Sequence, residues 1–316
     1  MADAPVVVVA DPIDPSALER LARGPCRVVD ASADPASLPA KLAEATALIV
    51  RSRTKVTAAL LTSAPRLTLI ARAGVGVDNV DLAAAGARSI RVVNAPSAAT
   101  ASVAELSIAF YLLLVRGLLP AIVATKGGRW ERSSHGQELA GKTVGFVGYG
   151  RIGREVARRL EPFGAATIAY DPFVAESEDR TEMVPWPELL QRTDIVSLHA
   201  ALTPENRHLL DAQAFAALRP GAFLVNVARG PLVDEAALLS ALKSGRLAGA
   251  ALDVFEVEPP MDRELLALPN VIATPHIGAM TVEGQARAGA WIVDEVLRAV
   301  RGEPLRSLVA DAGVRA

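Results

Sequence analysis

Eleven short aliphatic runs, separated by stretches of helical spacing, restrict the folds open to these 316 residues. The first series is Val6–Ala10, Arg27–Asp30, Ala47–Val50, Leu67–Arg72 and Arg91–Asn94. The second is Thr143–Gly148, Thr167–Asp171, Ile195–His199, Phe223–Val227, Gly249–Val254 and Val271–Thr274. Most lack the polar alternation of a half-solvated strand, so they read as strands buried on both faces, the habit of parallel sheets. Between them, stretches such as Gly153–Leu160 and Asp234–Ser244 place apolar residues at helical intervals. Strand alternating with helix predicts an α/β chain with right-handed crossovers.

Eleven strands are too many for one small sheet, and the length exceeds what a single core usually fills. One seam follows Asn94-Ala95-Pro96, where small residues lead into an apolar helix expected over Val103–Leu119; another follows His276, before a last helix expected from about Thr281 to Arg301. The expected division is one domain of residues 1–95 plus 281–316 and a second of 96–280. Hydrophobic residues make up 51% of the chain and aromatics only 4%, so the cores must be built from Ala, Val and Leu. With 33 basic against 35 acidic residues, nothing marks a nucleic-acid or anionic-membrane surface. The stretch Ala104–Leu119 carries Glu105, Ser107 and Arg116, and is too short and polar for a membrane span. The start, Met1 to Pro5, lacks the basic opening of a secretory signal, and a lone cysteine, Cys26, suits a reducing compartment. A cytoplasmic location is expected.

The run Thr143–Gly148 passes directly into Gly148-Tyr149-Gly150-Arg151-Ile152-Gly153 and then a helical pattern. A strand, three glycines at this spacing and a helix start form a dinucleotide-phosphate site. The first glycine makes the turn, the second admits the pyrophosphate, and the third lets helix and strand pack. The helix N-terminus adds unpaired N–H groups and positive dipole charge. The next strand ends in Asp171, about twenty residues on, as a ribose 2′-hydroxyl acceptor should. Asp171 would repel a 2′-phosphate and no arginine adjoins it, which favours NAD over NADP.

Three further polar residues follow aliphatic strands, where open α/β sheets bind ligands. Arg229 comes after Phe223–Ala228, Glu258 after Ala250–Val257, and His276 after Val271–Pro275. Hydride chemistry at a nicotinamide needs a cation for an anionic substrate, a group that gives or takes a proton as the hydride moves, and a group that tunes it. Arginine, histidine and glutamate fill those roles without a metal.

The segments Arg72–Asp81, Gly148–Gly153, Val225–Glu235, Ala251–Pro260 and Thr274–Ala279 resemble the D-isomer-specific 2-hydroxyacid dehydrogenases, most closely the phosphoglycerate branch. The likeness runs over essentially the full chain. It implies two doubly wound parallel-sheet domains, a Rossmann-type nucleotide domain inserted into a flavodoxin-like substrate domain, with a cleft between them. It implies that Arg229, Glu258 and His276 are catalytic. His276 protonates the carbonyl oxygen as hydride reaches C2, Glu258 fixes the imidazole, and Arg229 binds the carboxylate and carbonyl side. It adds His199, Thr203, Ala228, Asp253 and Gly278 to the cofactor contacts, alongside Arg229 and His276. It makes the backbone of Gly74-Val75-Gly76 a nest for the substrate carboxylate. It also implies a homodimer formed through the nucleotide domain, with Val103–Leu119 and Trp130 at the interface, and a short form without an appended regulatory domain.

Arg51, Arg72 and Arg132 match positions that contact substrate, especially a distal phosphate, in phosphoglycerate dehydrogenases. On that ground the expected substrate is 3-phosphoglycerate or 3-phosphohydroxypyruvate, and the expected role serine biosynthesis. Against it, Ala99 stands where that branch carries a substrate-binding asparagine. Ala201 and Met280 depart from the family's proline and serine. Two other readings stay open: a glyoxylate or hydroxypyruvate reductase of the same family, and an NAD-responsive scaffold without catalysis.

Overall fold

The aliphatic runs divide between two parallel sheets in the computed structural model, which describes residues 4–130, 132, 136–261 and 263–309. The first unit comprises residues 1–99 and 279–316. Its strands are β1 (Val6–Val9), β2 (Arg27–Asp30), β3 (Ala47–Val50), β4 (Leu69–Arg72) and β5 (Arg91–Asn94), in the order β2-β1-β3-β4-β5. Every pairing is parallel, and this is the flavodoxin-like order. One face carries Val7, Val9, Ile49, Leu69 and Val93, which pack with Ile292, Val293 and Val296 of the helix Val282–Val300. The other carries Val8, Leu48, Val50 and Ile70 beneath Leu38, Leu42 and Leu61. Strands covered on both faces need apolar residues at consecutive positions, and this is why the runs do not alternate. The helix Val282–Val300 starts where Thr281 Oγ1 accepts the Gly284 N–H at 2.9 Å. Ile292 is fully buried, and truncating such a side chain to alanine costs about 2–5 kcal/mol.

The second unit, Thr100–Gly278, holds β6 (Thr143–Val147), β7 (Ala166–Tyr170), β8 (Glu182–Met183), β9 (Ile195–Leu198), β10 (Ala222–Asn226), β11 (Leu247–Leu252) and β12 (Val271–Ala273). Their order is β12-β11-β10-β9-β6-β7-β8, all parallel. This is the Rossmann order with a seventh strand added, and its direction reverses between β6 and β9. Two residues of β8 at the sheet edge carry no sequence pattern, and this strand is absent from the sequence reading.

Two boundaries need correction. The seams lie at Ala99/Thr100 and Gly278/Ala279, not at 95/96 and 280/281, because Ala95 and Ala98 still pack in the first unit's core. The helix expected over Val103–Leu119 is two, Thr100–Val115 and Leu118–Lys126, bent by 71° around Gly117, whose φ of +57° ends the first. Thr100–Val115 buries Val103, Phe110, Tyr111 and Leu114, whereas Leu118–Lys126 leaves Ile122 and Val123 exposed. Among the described residues no single helix is long and apolar enough to cross a membrane.

Candidate active site

The carboxyl ends of β6, β7, β9, β10, β11 and β12 carry the polar residues of the second unit. After β6, Gly148 turns at φ +88°, and a Cβ there would sit 2.6 Å from the Ala200 nitrogen. Gly153 faces the Gly148 carbonyl oxygen, 2.9 Å from where its Cβ would be. Gly150 has nothing within 4 Å of its Cβ position, and no side chain caps the helix Arg151–Leu160 that it begins. The turn thus offers open space over an uncapped helix start, which fits the pyrophosphate of a dinucleotide. Asp171 stands beside it: Oδ2 accepts the Tyr149 N–H at 2.8 Å and Oδ1 the Phe173 N–H at 2.9 Å. Tyr149 itself turns inward, its hydroxyl 2.7 Å from Asp179 and 2.6 Å from Thr181, so its ring lines the core. Arg151 is exposed and Ile152 half-buried on the first helical turn. Thr203, also exposed, begins a short 3-10 turn, its N–H donating to Asn206 Oδ1 at 2.8 Å.

Arg229, Glu258 and His276 are brought together by three loops. Buried Asn226 shapes the first, accepting the Ala228 N–H at 3.0 Å and donating to the Arg229 carbonyl at 2.9 Å. Arg229 Nη1 donates to the Ala228 carbonyl at 2.7 Å. Next to it, a Cβ on Gly230 would lie 1.9 Å from the Phe255 carbonyl carbon, so only glycine admits the second loop. That loop is tied on by Glu256, which accepts the Glu235 N–H at 3.1 Å and donates its own N–H to Glu235 at 2.7 Å. It presents Glu258, whose Oε2 lies 2.9 Å from His276 Nδ1.

The third loop depends on Asp253, which is almost fully buried. Its Oδ1 accepts from Thr274 Oγ1 at 2.6 Å and from the Ile277 N–H at 2.8 Å, and its Oδ2 from the Gly278 N–H at 2.7 Å. Those bonds bracket His276, which sits at φ +54°.

The pairing with Glu258 sets the charge state of the histidine. The hydrogen bond that His276 Nδ1 donates to Glu258 raises the His276 pKa above its ordinary value; burial opposes this, the charges of Glu258 and Asp253 add to it, and Arg229 subtracts. For Glu258, burial alone would raise the pKa, yet His276, the Phe255 N–H and Arg229 hold it below normal. The result is an imidazole biased toward its protonated form, with a carboxylate fixed on Nδ1.

The first unit carries the expected anion-binding residues. Arg51 is held by its N–H to Asp11 Oδ2 at 2.6 Å, while its guanidinium donates to the Pro12 carbonyl at 3.1 Å and lies 3.3 Å from Met280 Sδ. Met280, a departure from the family pattern, therefore touches an expected substrate residue. The Arg72 guanidinium occupies the place of a Gly74 side chain, 1.6 Å from where Cβ would be, which explains the glycine. Asn94 Nδ2 donates to the Val75 carbonyl at 2.6 Å, and Gly76 is half-buried beyond it. Ala99 is buried, and Arg132, in the second unit, is exposed.

The sequence reading missed Asn226, Glu256 and Thr274, and took Asp253 only as a cofactor contact. For Gly230 the sole available signal was a glycine after Arg229.

Comparison with known proteins agrees with this arrangement. The NAD-binding domain of the D-isomer specific 2-hydroxyacid dehydrogenases matches residues 108–278. A D-3-phosphoglycerate dehydrogenase of Mycobacterium leprae is 45% identical over 318 residues, covering 99% of this chain and 60% of its own length. A hydroxypyruvate reductase of Thermotoga maritima is 42% identical over 92% of this chain and 97% of its own. An NADPH-dependent glyoxylate/hydroxypyruvate reductase of Sinorhizobium meliloti superposes with a TM-score of 0.87 at 33% identity, covering 99% of both chains. The chain spans about 60% of the length of the phosphoglycerate relatives it matches. It belongs to the D-isomer specific 2-hydroxyacid dehydrogenases.

Proposed function

We propose that this chain is an NAD-dependent dehydrogenase that interconverts 3-phosphoglycerate and 3-phosphohydroxypyruvate, a step of serine biosynthesis. The observation that carries the chemistry is the His276–Glu258 pair at 2.9 Å, on a loop that Asp253 brackets. When bound, the cofactor would accept the hydride from C2 in its oxidised form and supply it in its reduced form, NADH. In reduction, His276 Nε2 gives its proton to the carbonyl oxygen, and in oxidation it takes the proton back. Glu258 holds Nδ1 and so keeps Nε2 as the atom that exchanges the proton. Arg229 neutralises the carboxylate and polarises the carbonyl. Val75 and Gly76 bind the carboxylate through backbone N–H groups, the Gly74 N–H being donated instead to the Arg72 carbonyl at 2.9 Å, and Arg51, Arg72 and Arg132 take up the distal phosphate. Asp171 selects NAD by binding the ribose hydroxyls.

The substrate reading is supported by relatives at 43–45% identity that bear the phosphoglycerate name. A second reading, hydroxypyruvate reduction, is favoured by the Thermotoga relative at 42% identity and by the buried methyl of Ala99. A panel of 2-keto acids assayed by NADH oxidation separates them. The proposal expects 3-phosphohydroxypyruvate to lead in kcat/KM, and better use of hydroxypyruvate or glyoxylate overturns the phosphate assignment. His276→Ala should lower turnover on the best substrate by about 10²–10⁴-fold. A wild-type chain that binds NADH but turns over no keto acid would instead favour the scaffold. We further propose a cytoplasmic homodimer in which a second copy covers the exposed Ile122 and Val123; light scattering tests it.

A further inference from the structure

Tyr111, on the buried helix Thr100–Val115, is far from the catalytic trio in sequence and has no part in the chemistry described above. Its hydroxyl is fully buried and donates to Ser197 Oγ at 2.6 Å. Ser197, equally buried on β9, lies 2.9 Å from His199 Nε2. The other ring nitrogen, His199 Nδ1, is enclosed and has no hydrogen-bond partner among the described residues. A buried polar atom without a partner costs free energy unless something else meets it.

Proton counting sets the direction of this chain. Burial raises the Tyr111 pKa, so its hydroxyl stays protonated and donates. Ser197 accepts that proton and has one of its own to give, and Nε2 is the acceptor within reach. Burial also lowers the His199 pKa, to about 3, so the ring is neutral. A neutral ring that accepts at Nε2 must carry its hydrogen on Nδ1.

His199 stands where the fold takes up a ligand. Val147 and Leu198 pair at the ends of β6 and β9, so the next residues, Gly148 and His199, stand side by side. A Cβ on Gly148 would come within 2.9 Å of the His199 carbonyl carbon. This is the point where the strand order reverses, and it is there that open α/β sheets take up ligands. The imidazole also packs on Phe146 of β6, 5.6 Å between ring centres, which fixes its plane.

We infer that Tyr111 and Ser197 form a buried donor chain that locks His199 as the Nδ1–H tautomer, and that this N–H is reserved for an acceptor oxygen of the bound dinucleotide. His199 is then a binding residue, and Tyr111 and Ser197 are positioning residues acting through it. The inference rests on the NAD-binding assignment.

The test uses the full chain labelled with ¹⁵N-histidine, its four histidines told apart with a His199→Asn variant. In the free protein, His199 Nε2 should resonate as an unprotonated nitrogen and Nδ1 as a protonated one. NADH should shift Nδ1 and slow the exchange of its proton. Ser197→Ala should scramble the tautomer and weaken NADH binding about three- to tenfold, the worth of roughly one neutral hydrogen bond. Tyr111→Phe should do less, since Ser197 keeps its own proton. If Ser197→Ala proves unstable, Tyr111→Phe/Ser197→Ala removes both hydroxyls and should show the same loss of affinity. His199→Asn, which keeps a donor near the place of Nδ1, should bind NADH more tightly than His199→Ala. A protonated Nε2 in the parent, a His199 ring indifferent to NADH, or parental affinity in the serine variants overturns the inference. A parent that binds no NADH at all would instead refute the dinucleotide site itself.

Discussion

Gly230→Ala adds one methyl group where the loops bearing Arg229 and Glu258 touch. The added carbon would lie 1.9 Å from the Phe255 carbonyl carbon and oxygen and 2.4 Å from the Glu256 nitrogen. All three are backbone atoms, so no rotamer change relieves the clash. Restoring ordinary contact at about 3.4 Å moves one loop by roughly 1.5 Å. Glu258 is three residues from Phe255 and holds His276, so the displacement reaches the proton-transfer pair. Misplacing reacting groups by about 1 Å can cost 10²-fold, and kcat/KM for keto-acid reduction should fall at least that far. Overpacking of this kind costs about 1–3 kcal/mol, which for a unit of this size lowers Tm by roughly 2–12 °C. Steady-state kinetics and thermal unfolding of parent and variant measure both effects. A variant with parental kcat/KM and unchanged Tm would show that the two loops are not locked by this backbone contact.

Glu258→Gln removes the carboxylate that raises the His276 pKa, so the loss of reductase activity with rising pH should begin at lower pH; an unmoved profile refutes the coupling. Asp11 carries a lowered folded-state pKa: burial alone would raise it, but hydrogen bonds from Thr54, Arg51 and Arg53 more than offset that. Its contribution to stability is therefore complete above the ordinary value of 3.8 and is lost as pH falls through the folded value. Asp11→Asn should flatten this acid limb in unfolding curves taken from about pH 5 to pH 2. Asp171→Ser should narrow the preference for NADH over NADPH in kcat/KM, and a parent that already uses both equally would refute the selectivity assigned to Asp171.

Most strand positions were legible because both faces of each sheet are covered, which forces unbroken runs such as Ala47–Val50 and Phe223–Val227. The two strand orders were legible only through resemblance, since a run of valines does not say which neighbour it will pair with. The bend at Gly117 was hidden because Val103–Leu119 is apolar on both sides of it, and apolar continuity reads as one helix. In the site, Arg229, Glu258 and His276 stood out as charged or titratable residues just past greasy strands. Asn226 and Asp253 occupy equally telling positions, but whether a polar side chain faces a ligand or its own backbone depends on loop geometry that no spacing encodes. Tyr111 is the extreme case: in an apolar helix it reads as core, and only its hydroxyl partner shows otherwise.

The bracket around His276 bears on how portable this chemistry is. An L-residue at φ +54° carries backbone strain of about 1–3 kcal/mol, and here a single buried carboxylate holds it by gripping the loop on both sides. The direction of the imidazole is thus written into main-chain geometry and does not rest on a rotamer choice. Grafting arginine, glutamate and histidine onto the strand ends of another parallel sheet would reproduce the ingredients and miss the aim. The smallest transferable unit is the trio together with Asp253, Thr274 and the glycine at 230 that lets the loops meet.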